Sequence, residues 1–168
     1  MKKHLYPSPL GALAIIANRG KLIYCNWDNP ECSHKQANIE SRFIEETEYF
    51  EDKLVLEETC LQLEEYFKER RKYFDIPFEL VGTEFQRKVW DSIYKVGYGE
   101  TVSYKKLAEM ASIPKTFQAV AQACGANPVS IIVPCHRIIA SNGKLGGYTG
   151  GIDKKIALLN LENKIFQL

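Results

Sequence analysis

Two apolar runs near the start of the chain, Ala12-Leu13-Ala14-Ile15-Ile16-Ala17 and Leu22-Ile23-Tyr24-Cys25-Asn26-Trp27, have the length and composition of strands. Asn18-Arg19-Gly20-Lys21 between them reads as a hairpin turn in which Gly20 is free to take a positive φ. Residues 28–38 are polar, contain Pro30 and read as a loop, and the acidic stretch 39–52 reads as helical or partly mobile. Over 54–70, Val55, Cys60, Leu63 and Phe67 fall near one face of an amphipathic helix. Tyr73 to Leu80 contains Pro77 and reads as an extended connector, which puts a domain boundary near 78–83.

The second half is built from shorter pieces. Thr83 is placed to cap a helix with Phe85, Val89, Trp90 and Ile93 on its inner face, and Gly97-Tyr98-Gly99 ends it. Ser103 caps a short helix carrying Leu107, Ala108 and Ala111, and Pro114 opens another from Lys115 to about Cys124. Two short helices around a tight turn match either a helix-turn-helix or an ordinary helical hairpin. The run Ile131-Ile132-Val133-Pro134-Cys135-His136-Arg137-Ile138-Ile139 reads as a buried strand, and residues 153–163 as a final helix.

Composition narrows the possibilities. No stretch approaches the ~20 apolar residues of a membrane span, and Met1-Lys2-Lys3-His4-Leu5 opens no signal peptide, so a cytoplasmic protein with free thiols is expected despite five cysteines. The net charge of +1 conceals a division: residues 1–80 hold 11 basic and 15 acidic residues, residues 81–168 hold 11 and 6. The second half is therefore the candidate for meeting a polyanion.

Cys135 and His136 set a thiol beside an imidazole. A free thiol titrates near ~8.5 and needs a base or a cation to become a nucleophile. Neighbours on a strand point to opposite faces, so a turn at Pro134 or a bridging water is needed for His136 to act on Cys135. Asn127-Pro128 precedes the run and Gly143-Lys144-Leu145-Gly146-Gly147-Tyr148-Thr149-Gly150-Gly151 follows it. So many glycines are entropically costly, and suit a backbone that approaches a flat ligand or offers it N–H donors.

Val133-Pro134-Cys135-His136-Arg137, with Asn127-Pro128-Val129 upstream and Gly147-Tyr148-Thr149-Gly150-Gly151 downstream, resembles the O6-alkylguanine-DNA alkyltransferases. Thr83-Glu84-Phe85-Gln86-Arg87-Lys88-Val89-Trp90 and Tyr98-Gly99-Glu100-Thr101-Val102-Ser103-Tyr104 extend the resemblance over about 83–163. It implies an α+β chain: a small strand-hairpin and helix domain over 1–80, then a mostly helical, winged helix-turn-helix-like domain over 81–168. It also implies DNA repair, in which Cys135 takes the alkyl group of O6-alkylguanine, and of O4-alkylthymine as a further substrate, as a stable thioether. By the resemblance, His136 deprotonates Cys135 through a water, Glu162 polarises His136, Asn127 braces the turn, and Tyr104 donates to N3 of the leaving guanine. The Thr149 N–H faces O6, the carbonyls of Cys135 and Ile138 accept from the exocyclic amine, and Tyr148 and Cys124 wall the pocket. The DNA contacts implied are Gln118, Phe117, Gln122, Lys115, Lys105 and Lys106, with the second short helix in the minor groove and the guanine flipped out of the duplex.

The chain departs from the family where an arginine normally fills the gap left by the flipped base; Gln118 stands there, beside Phe117 as an apolar wedge. A lesion sensor that does not repair, and a Cys-His hydrolase, are the competing readings. Cys25, Cys32, His34 and His4 have a spacing that matches no standard zinc site, so neither metal nor cofactor is expected. A monomer whose partner is alkylated DNA completes the expectation.

Overall fold

Three antiparallel strands, β1 (Lys2–Ser8), β2 (Gly11–Asn18) and β3 (Lys21–Trp27), form a sheet in the order β1-β2-β3 in the computed structural model, which describes residues 1–43, 49–113 and 117–163. The hairpin between β2 and β3 is the expected one, with Arg19 at φ 51° and Gly20 at φ 71°. From Leu13 through Ala17, β2 is buried on both faces, as a continuous apolar run requires. Nothing in the apolar pattern announced β1; its sequence Lys-Lys-His-Leu-Tyr-Pro-Ser is held in the ladder by β2, and it is a largely exposed edge.

The stretch expected as a loop is helix α1 (Pro30–Glu40). The Asn29 side chain accepts from the Cys32 N–H at 2.8 Å, and Pro30 sits in the first turn, where a missing N–H is harmless. Asn-Pro was thus a helix start. Helix α2 (Phe50–Phe67) begins a turn earlier than expected, and its buried Asp52 accepts from the Gly20 N–H at 2.7 Å, tying the helix to the hairpin. Tyr73 to Leu80 forms neither helix nor strand, and Pro77 to Glu79 run beside β3, where Phe78 bridges Leu22.

The chain divides into two compact units, Met1–Val81 and Gly82–Leu168. The second opens with α3 (Glu84–Tyr94), capped by Thr83 in a reciprocal box with Gln86. Ser103 caps α4 (Tyr104–Met110) by accepting from the Lys106 N–H. Helix α5 is described over Phe117–Gly125; the expected opening at Pro114 and Lys115 lies outside the described residues. Val89, Trp90, Ile93, Leu107, Ala108 and Val120 pack α3, α4 and α5 together, and the Trp90 indole N–H donates to the Ala123 carbonyl at 2.8 Å. The final helix is α6 (Ile152–Asn163).

The run 131–139 is buried but is not one strand. Ser130 bridges Val133 around a turn in which Ile131 takes φ 73°, Cys135–Arg137 form a single 3-10 turn, and only β5 (Ile138–Ile139) is extended, parallel to β4 (Val102–Ser103). A buried β-branched residue at positive φ is strained, so the surrounding packing and not local preference fixes this turn.

Candidate active site

Cys135 opens the 3-10 turn and is 8% exposed, buried yet reachable. The turn is held from both sides. Asn127 donates from Nδ2 to the Val133 carbonyl at 2.8 Å and accepts at Oδ1 from the Val129 N–H at 3.0 Å, so one buried amide fixes the bend leading to the thiol. On the other side, the Ile138 N–H donates back to the Cys135 carbonyl.

His136 and the Glu162 side chain are both fully buried, with His136 Nε2 2.8 Å from Glu162 Oε1. Burial lowers the imidazole pKa below its ordinary 6.5, against the pull of Glu162. Burial alone would raise the Glu162 carboxyl, but the hydrogen bonds and charges of His136 and Arg137 outweigh it and hold the group well below the carboxylate range. At neutral pH the pair is therefore a neutral imidazole donating from Nε2 to a carboxylate. That assignment leaves Nδ1 as the lone-pair nitrogen, and Nδ1 is buried with no hydrogen-bond partner.

Arg137, two residues after the thiol, turns to a carboxylate. It is 6% exposed and grips Glu162 with Nε on Oε2 at 2.8 Å and Nη2 on Oε1 at 2.9 Å, while Nη1 donates to the Val96 carbonyl at 2.6 Å. The Gly99 N–H adds a fourth donor to the carboxylate at 3.1 Å. One glutamate thus locks the turn Gly97-Tyr98-Gly99, the 3-10 turn and α6 together, and fixes the imidazole ring.

Lys155 is the buried cation near the thiol that sequence reasoning missed. It is fully buried on α6, and its ammonium donates to the carbonyls of Ile138 at 2.6 Å, Leu145, and Gly147 at 3.4 Å. Burial pulls its pKa down to about 8, opposed by the thiols of Cys135 and Cys124. Lys155, Leu158, Leu159 and Glu162 follow helical spacing on one face, so a charged residue in an apolar stripe was the available signal.

Tyr104 starts α4 and its hydroxyl is pushed up to about 12, by burial first and then by Cys124 and Cys135. A Cβ on Gly146 would stand 3.0 Å from that hydroxyl, so the glycine there makes room for the tyrosine. Cys124 is 6% exposed, and burial followed by Cys135 raises its pKa. The Thr149 hydroxyl donates to the Gly125 carbonyl at 2.9 Å, which anchors the glycine-rich segment to the end of α5, and Tyr148 beside it is half-buried.

On the outer side of α5, Phe117 is 48% exposed, and Gln118 and Gln122 are exposed with it. Lys105 and Lys106 are exposed on α4, the latter 3.5 Å from Glu109. Lys115 lies outside the described residues. Among the described residues no three His, Cys, Asp or Glu side chains are grouped to hold a metal, and no helix is long and apolar enough to cross a membrane.

Chemically, the arrangement offers a thiol, a neutral buried base held by a carboxylate, a protonated phenol and a buried ammonium within one unit. Comparison with known proteins supplies the family. Residues 1–80 match the family model described as 6-O-methylguanine DNA methyltransferase, ribonuclease-like domain, and residues 84–164 the one described as its DNA binding domain. A methylated-DNA–protein-cysteine methyltransferase of Methanosarcina acetivorans is 38% identical over 94% of this chain and 96% of its own. The inducible one of Bacillus subtilis is 44% identical over 68% of this chain and 64% of its own. Among solved structures, Mycobacterium tuberculosis OGT in complex with DNA superposes with a TM-score of 0.79 at 33% identity, over 96% of this chain and 92% of that one. The chain belongs to the 6-O-methylguanine DNA methyltransferase family, the methylated-DNA–protein-cysteine methyltransferases.

Proposed function

We propose that this chain repairs O6-alkylguanine in DNA by moving the alkyl group irreversibly to Cys135. The observation that carries the reading is the buried pair of His136 and Glu162 next to that thiol, with the Nδ1 lone pair unengaged. Nδ1 takes the thiol proton through a water, and Glu162 and Arg137 keep the ring in the tautomer that can do so. The thiolate attacks the saturated carbon in line. The S–C bond forms as the C–O6 bond breaks, and the electron pair leaves with the guanine.

The leaving base needs stabilisation. Tyr104, whose high pKa keeps its proton, donates toward N3, and the Thr149 N–H toward O6. The carbonyls of Cys135 and Ile138 select the exocyclic amine; Ile138 gives one lone pair to Lys155 and keeps the other. Tyr148 and Cys124 close the pocket around the alkyl group. In the proposal the domain 81–168 binds DNA through α5 in the minor groove with the base flipped out, Phe117 and Gln118 occupying the gap, and Gln122, Lys105, Lys106 and Lys115 meeting the backbone. The chain acts as a monomer in a reducing, cytoplasmic setting, which suits its five free cysteines.

Restored guanine in an O6-methylguanine oligonucleotide, measured against the amount of protein, should stop at one lesion per chain. Tight binding without restoration would mean a lesion sensor, and continued turnover on ester substrates a hydrolase.

A further inference from the structure

A groove in the first unit, between β1 and α2, lies outside everything the alkyl transfer uses. It is a half-open groove of about 380 Å³, within the range of small-molecule sites. Lys53, Leu56, Glu57 and Cys60 project from one face of α2 at helical spacing, and Lys2 and His4 from one face of β1. Leu56 and Cys60 make an apolar floor; Leu56 is 5% exposed, and burial, then Glu57, raises the Cys60 pKa. Lys3, the residue between, also lines the groove, with its ammonium 3.9 Å from Glu40.

The rim is cationic in a half of the chain that is otherwise acidic. Among the described residues, three lysines and a histidine line the groove with one carboxylate, Glu57, which sits 3.6 Å from Lys53 across an exposed helix pair. Such an exposed pair holds Lys53 weakly, so its ammonium is available to a stronger anion. Cys60 is the most accessible of the five cysteines, half-buried where the others are buried. An apolar floor with an ammonium rim matches one chemistry: a small anion with an apolar body.

We propose that this groove is a binding site for a small amphipathic anion, an aryl or short acyl carboxylate, sulfonate or phosphate ester, seated on Leu56 and Cys60 with its charge against Lys2, His4 and Lys53. The charge complementarity selects the anion, and the limited volume with its apolar floor suits a small molecule.

Anilinonaphthalene sulfonate is the probe, titrated by fluorescence into the full chain. Binding saturates at one per chain, and the neutral analogue phenylnaphthylamine binds about tenfold more weakly, the loss expected for one charge-assisted contact. Lys53→Glu weakens the probe by about the same factor; its side chain is 56% exposed, so the fold is retained, and the rate of alkyl transfer is unchanged. Peptide mass analysis after iodoacetamide treatment locates the site: the probe slows modification of Cys60 and leaves that of Cys135 as it was. Equal affinity for the neutral analogue, no response to Lys53→Glu, or an unprotected Cys60 overturns the proposal. So does an undamaged duplex that displaces the probe and is itself weakened by Lys53→Glu, since the groove would then be a nucleic-acid contact.

Discussion

Cys25 and Cys135 are both buried thiols, and they differ in what surrounds them. Cys25 lies fully buried in β3 opposite Ile15, and burial followed by Cys60 raises its pKa, with no cation or base among the described residues to oppose it. Cys135 sits at a turn where Lys155, His136, Glu162, Arg137, Asn127 and Tyr104 converge. The first unit spends its buried polar groups on tying elements together, as Asp52 does for Gly20 and Gln62 for the Asp75 backbone. The second gathers them round the turn that carries one sulfur. Burial alone makes a thiol inert; reactivity requires the neighbours.

The contrast is broken most severely at the sulfur itself. Cys135→Ala should abolish methyl uptake, while Cys25→Ala keeps it and costs about 1 kcal/mol for the atom removed from a packed sheet, both read by labelled-methyl transfer and denaturant melts. Next is Glu162→Gln, which leaves Arg137 buried without its counter-charge. We expect a loss of roughly 3 kcal/mol of stability and a transfer rate down at least about tenfold, since the imidazole loses its orienting carboxylate. Unchanged stability would mean that Arg137 finds another partner.

Lys155→Met strips the donor from three carbonyls and should cost about 2 kcal/mol. The gap between the two proteins depends on pH. Lys155 titrates at about 8 when folded against 10.5 in the open chain, so between those values the unfolded state binds the extra proton. Wild type should therefore gain stability over the variant as pH rises through that window. His136 has the same sign at lower pH: its folded pKa lies below 6.5, so its contribution to stability falls as pH drops through 6.5. Transfer should persist below 6.5, until the buried ring protonates; a single-turnover rate that halves above 6.5 would contradict a buried neutral base. The smallest effect is at the DNA face, where Gln118→Arg should speed repair of duplex several-fold and of single strands little, read by parallel single-turnover assays.

Much of this was legible in the sequence because it was local. The hairpin at Gly20, the caps at Thr83 and Ser103, and the periodicities of α3 and α6 each follow from residues a turn apart. Pro30 misled because a proline opening a helix and a proline in a loop look alike until Asn29 is read as the cap. β1 was invisible because an exposed edge needs no apolar alternation, only a partner. The run 131–139 read as a strand because its composition is strand-like, whereas Asn127 and the long-range packing bend it. In the site, the pairing of His136 with Glu162 came from the family resemblance, and the burial of Arg137 and Lys155 came only with the fold. A charge beside a thiol in sequence says nothing of the carboxylate 25 residues away that claims it.

The difference between the two buried thiols is tested most directly by a site-resolved mass measurement of all five cysteines after the native chain has been exhausted with O6-methylguanine DNA. A single methyl group per chain, wholly at Cys135, is the predicted result. Methyl groups shared with Cys25, Cys32, Cys60 or Cys124, or none at Cys135, would contradict it.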